Sequence, residues 1–174
     1  MRKRRNMTLA AGLVTAALVA WACERSETPA APDVGAPSFD GMDHGCPVKK
    51  FTGGGRIDPR GEKVTFGFNV HVNENCQPIK GQLQVVHHPE QTKWHSTSIT
   101  SFTSYASPEG GECGEWRGNV RAKHGNGDWH DHNFAVQACD NGEPGRGRDT
   151  FWFVSEGEYG TGRTVLTGGN IQVH

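Results

Sequence analysis

Val64-Thr65-Phe66-Gly67-Phe68-Asn69-Val70-His71-Val72 alternates without a break. Valine or phenylalanine fills every second position, and Thr65, Gly67, Asn69 and His71 fall between them. Successive side chains of a strand point to opposite faces, so this period of two lays one row on an apolar core and turns the other outward. Trp116, Gly118, Val120 and Ala122 alternate in the same way with Arg117, Asn119, Arg121 and Lys123, as do Phe134, Val136 and Ala138 with Asn133, Ala135 and Gln137. No helical periodicity competes with this pattern.

Working outward from that strand, runs of the same kind cover Val48 to Ile57, Lys63 to Val72, Ile79 to His87, Lys93 to Tyr105, Glu115 to His124, Trp129 to Cys139, Asp149 to Ser155 and Arg163 to Val173. Turn formers separate them, among them Asp58-Pro59-Arg60-Gly61, His88-Pro89-Glu90, Gly125-Asn126-Gly127-Asp128 and Asp140-Asn141-Gly142-Glu143-Pro144-Gly145. Glycine and asparagine accept the positive φ that tight hairpins demand. Short connections join these eight runs, which predicts an all-β, eight-stranded antiparallel meander forming a closed or nearly closed barrel; a β-sandwich is the alternative. The look-alike segments Thr52-Gly53-Gly54-Gly55-Arg56-Ile57 and Thr167-Gly168-Gly169-Asn170-Ile171 place glycines where first and last strands would meet.

A meander sends alternate loops to alternate ends. Cys46, Cys76, Cys113 and Cys139 then fall at one end, with Cys46 beside Cys76 and Cys113 beside Cys139. Of the three possible connectivities, those two bridges are expected. The opposite end collects histidines: His87 and His88 close the third strand, His95 opens the fourth, His124 closes the fifth, and His130 and His132 open the sixth. His124, His130 and His132 share the register of inward-facing residues, and with His95 and His87 they form a candidate site for zinc or another transition metal. Asp131 or Glu90 would be the carboxylate beside such a metal. The ordinary reading of histidines at strand ends is a polar rim with no cofactor. No nucleophile elbow, zinc-protease motif or paired-carboxylate signature accompanies them, so no catalytic residue is assigned.

The N-terminus supplies an address. Arg2-Lys3-Arg4-Arg5 precedes an apolar run, Met7 to Ala22, which is the grammar of an export signal over residues 1–22. That run of about 16 residues is shorter than the roughly 20 needed to span a bilayer as a helix. Val19-Ala20-Trp21-Ala22-Cys23 resembles a lipobox with Ala20 where leucine is usual, so Cys23 is the expected lipidation site and the membrane the expected anchor; Ala20-Trp21-Ala22 also fits ordinary secretion. Residues 23–45 read as the lipidated cysteine and a Pro/Ala-rich tether, and 46–174 as a single β-domain. Setting Cys23 aside leaves four of the five cysteines, an even set suited to an oxidising compartment. Four of the eighteen basic residues lie in the leader, leaving fourteen against nineteen acidic, a formal charge of −5. That balance excludes a nucleic-acid role.

Taken together, Thr52-Gly53-Gly54-Gly55, Val64 to Val70, Lys80-Gly81-Gln82-Leu83-Gln84, His95 to Thr100, Asp140 to Gly145 and Gly168-Gly169-Asn170-Ile171-Gln172-Val173-His174 resemble the post-COAP-1 domain of bacterial extracellular proteins. The resemblance runs over most of residues 50–174. It implies a β fold and an extracellular place, and it brings no chemistry. The lipoprotein-like leader, the four domain cysteines and Asp128-Trp129-His130-Asp131-His132 depart from that family. The expected protein is therefore a lipid-anchored cell-envelope module that binds an envelope partner or ligand, with metal handling at the histidine rim as the alternative.

Overall fold

A computed structural model describes Cys46 and residues 48–174; the signal sequence, Cys23 and the tether lie outside the described residues. Ten strands follow one another: β1 (Lys50–Ile57), β2 (Val64–Val72), β3 (Pro78–His87), β4 (Thr92–Ala106), β5 (Glu112–His124), β6 (Trp129–Asp140), β7 (Thr150–Ser155), β8 (Tyr159–Gly160), β9 (Thr164–Val165) and β10 (Gly168–Val173). They form one antiparallel sheet in the order β10-β1-β2-β3-β4-β5-β6-β7-β8, curled on itself, with β9 also paired to β7. Among the described residues no helix is long and apolar enough to cross a membrane.

The strand count corrects the expectation of eight. The run expected to be one last strand, Arg163 to Val173, is broken in the middle. Its first part, β9, pairs with β7, and its second part, β10, pairs with β1. At the break, Leu166 donates its N–H to Asp149 at 2.9 Å, while Thr167 donates to Arg56 at 2.8 Å on the other side. One connecting segment thus touches both margins of the curled sheet. Glycine makes the junction possible: Gly169 has φ +98, and a Cβ on Gly55 would collide with the carbonyl of Gly168.

Alternation along β2 is realised in full, with Val64, Phe66, Phe68, Val70 and Val72 buried and the residues between them partly exposed. Rings fill the interior. Phe66 stacks on Phe151 with centroids 3.8 Å apart, and Trp116 packs against Phe68 at 4.7 Å and Phe51 at 6.1 Å. Each fully buried ring or branched chain contributes roughly 1.5–3 kcal/mol, so this packed column is the main source of stability. It also turns the barrel interior into core and argues against an interior ligand.

Both expected disulfides are present, Cys46–Cys76 and Cys113–Cys139. Cys113 and Cys139 face each other in the β5–β6 ladder. Both bridges lie at the end that holds the β2–β3, β4–β5 and β6–β7 connections. The opposite end holds the β1–β2, β3–β4, β5–β6 and β7–β8 turns.

Two places in the wall depart from a regular ladder. Along β10, side chains stand in for a strand: Ile171 donates to Asp149 Oδ2 at 2.8 Å and Val173 to Asp140 Oδ2 at 3.1 Å. Between β3 and β4, the ladder covers only Gln84–His87 against Thr92–His95. Beyond His95, β4 runs on to Ala106 paired with β5 alone, with register shifts between Ser96 and Ser98 and between Ile99 and Ser101.

Candidate functional site

At the end remote from the disulfides, one carboxylate organises the mouth of the barrel. Glu158 sits in the turn between β7 and β8, where Gly157 takes φ +73 and the Glu158 N–H donates to Ser155 at 3.1 Å. Its Oε2 accepts from Trp94 Nε1 at 2.8 Å and from Ser155 Oγ at 2.9 Å, while Oε1 is bonded to His124 Nε2. His132 Nε2 lies 3.8 Å from Oε2. Burial pushes the Glu158 carboxyl up, but hydrogen bonds from Trp94, Ser155 and His124 outweigh it, and the group ends below the ordinary glutamate range. The next residue, Tyr159, packs between Trp94 at 5.1 Å and His87 at 4.8 Å. His87 is buried and held between carboxylates, with Nε2 3.1 Å from Glu62 and Nδ1 3.5 Å from Glu90.

The histidines expected to share a metal are therefore dispersed. His124 and His132 converge on Glu158. His87 belongs to a separate Glu62–Glu90 group beyond Tyr159 and Trp94. His130 is exposed, opposite Ala122. His95 is on the other face altogether, because Trp94 takes the inward position on β4 and strand alternation turns its neighbour out. Asp131 also faces out, 4.0 Å from Arg121. Among the described residues, no three histidine, cysteine or acidic side chains are arranged to hold a metal ion.

Thr92 Oγ1, His124 and Glu158 line up as hydroxyl, imidazole and carboxylate, with Thr92 2.9 Å from His124 Nδ1. The order resembles an activated nucleophile, yet Thr92 is fully buried. The hydroxyl is closed off from solvent, and the chain of bonds ties β4 and β5 to the turn between β7 and β8. Glu158 itself escaped the sequence reading because residues 156–162 carry no alternation. The available signal was topological: the turn after a seventh meander strand falls at the histidine end.

The outward face of the same end is different in character. Trp129, 37% exposed, has Arg121 Cζ 5.4 Å and Lys123 Nζ 5.9 Å from its ring centre, and the His95 ring meets it edge-on at 5.3 Å. His95, Ser96, Thr97, Arg121 and Trp129 line a shallow depression there.

The chain matches no protein-family model, no curated protein and no solved structure.

Proposed function

We propose that this chain is an exported, lipid-anchored module of the bacterial cell envelope that binds a partner through the outer face of β4, β5 and β6 and catalyses no reaction. The observation that carries this reading is Trp129, an exposed indole set among cations at the end farthest from the disulfides. Exposed aromatic and arginine side chains are the residues on which recognition surfaces rely. Glu158 and Glu62 draw Trp94, His124, Ser155 and His87 into local bonds at that end, and the interior is packed core.

Two disulfides fit an oxidising compartment. Cys46 is bridged at the disulfide end, so a tether leading from an acylated Cys23 reaches the domain there and directs the Trp129 end away from the membrane.

Fractionation and sedimentation test the proposal together. The native chain should partition with membranes and carry an acyl mass on Cys23, while the chain carrying Cys23→Ser should be soluble. That soluble chain should co-sediment with purified envelope material, and Trp129→Ala should release it. A native chain free of acyl mass overturns the anchor, and a soluble chain that sediments with no envelope fraction overturns the binding role.

A further inference from the structure

We infer that the Trp129 face binds an acidic polysaccharide, a chain of pyranose rings bearing carboxylates; this rests on the binding role proposed above. Geometry comes first. Trp129 is opposite Lys123 in the β5–β6 ladder, and His95 is opposite Arg121 in the β4–β5 ladder. Trp129 and His95 thus stand on strands separated by β5, about 9.6 Å apart at the usual strand spacing. Their ring centres are nevertheless 5.3 Å apart. The two side chains therefore lean toward each other over β5 and meet edge-on. With 37% of its surface exposed, the indole still offers solvent part of its apolar ring.

Charge is the second, independent observation. Lys93 and Lys123 are direct cross-strand partners, and Arg121 and His95 are the next pair along. Like charges directly opposite each other destabilise a sheet. The acidic side chain at hand is Asp131, 4.0 Å from Arg121 and 87% exposed, which at that distance and exposure offers little compensation. This basic cluster stands on a chain whose residues 23–174 carry a formal −5. A bound anion would relieve the repulsion that the free protein tolerates.

The two observations together select the ligand. A pyranose has one face of C–H bonds that can shed water against an indole while its hydroxyls stay hydrated. A carboxylate on the ring then reaches Arg121, whose planar fork matches it in two hydrogen bonds. The depression of about 380 Å³ is shallow and open to solvent, which suits a segment of a longer chain rather than an enclosed small molecule. Acidic peptides supply the charge without the rigid apolar face, and neutral glycans supply the face without the charge.

The test uses the chain carrying Cys23→Ser, a hexamer of uronic acid, maltohexaose and hexaglutamate, with indole fluorescence and calorimetry as readouts. The uronate should bind best and quench the exposed indole. Trp129→Ala should weaken it by about ten-fold or more and Trp129→Phe by less. Arg121→Gln with Lys123→Gln should weaken it by about ten-fold and flatten its salt dependence, with unchanged circular dichroism and melting confirming the fold. Equal binding of maltohexaose, tighter binding of hexaglutamate, or an unchanged affinity in Trp129→Ala overturns the inference. If the uronate fails while envelope sedimentation still depends on Trp129, the ligand class falls and the binding role stands. If the protein sediments with no envelope fraction and binds no uronate, both fall.

Discussion

Asp149 is buried and its Oδ2 accepts the backbone N–H of Ile171 at 2.8 Å, while Oδ1 accepts that of Asn141 at 2.9 Å. One side chain therefore satisfies two amides that a regular ladder would have paired, at the place where β10 lacks a strand on its second edge. Asp149→Asn replaces an acceptor by a donor facing one of those amides. The variant should lose about 1–3 kcal/mol, read from the urea midpoint at unchanged slope. A loss within experimental scatter would mean that the bonds to Asp149 do not hold the seam.

Asp149, buried, and Glu158, half-buried, act on stability in opposite senses. Burial raises the Asp149 carboxyl above its ordinary range. Its contribution is therefore full under acid and is lost as pH rises through the folded value. Glu158 is half-buried, and its hydrogen bonds outweigh the burial and lower it, so its contribution is present near neutrality and is lost as pH falls through its folded value. Melting followed from pH 7 down to strong acid should show a declining limb below the ordinary glutamate range. In Glu158→Gln that limb should flatten, and an identical slope would remove Glu158 as its source.

The disulfides close loops spanning 30 and 26 residues of sequence separation. In the chain-entropy account each contributes about 3.5 kcal/mol. Replacing Cys113 and Cys139 together by alanine should lower the urea-derived stability by that order, because the bridge lies buried within the β5–β6 ladder. Cys46 and Cys76 fasten the entry of the chain to the β2–β3 turn, and their removal should also expose the N-terminal side of β1 to proteolysis. Resistance to protease equal to the parent would show that β1 is held by its ladders alone.

The free edge of β4 predicts a behaviour in concentrated solution. Ser101-Phe102-Thr103-Ser104-Tyr105-Ala106 has regular pairing to β5, no ladder partner toward β3, and no charged or proline residue. Such an edge invites pairing with another chain. Thr103→Lys, at an exposed position, should reduce light scattering on heating concentrated protein while changing stability by about 0.5 kcal/mol or less. Unchanged scattering would place the aggregating surface elsewhere.

What was legible in the sequence was whatever a local pattern dictates. The alternation of Val64 to Val72 marks a strand on its own, and Gly125-Asn126-Gly127-Asp128 marks the hairpin that follows β5. The meander then carried the cysteines to one end in the correct pairs. What escaped depends on partners distant in sequence. His95 faces away from the other histidines because Trp94 claims the core, a choice set by which of two neighbours packs better. The break at Leu166–Thr167 arises where β9 and β10 meet different strands, which no periodicity within Arg163 to Val173 records. Glu158 gained its place from the turn that delivers it to His124.

The switch of one segment from β7 to β1 has a consequence for the order of folding. Thr52 and His174, 122 residues apart in sequence, end as hydrogen-bonded neighbours, and β1 receives its second partner only when β10 arrives. Among the described residues the first strand is completed by the last, a long-range pairing that slows folding. Until β10 docks, one margin of β1 stays unpaired, so the seam between these two strands is a late event of folding.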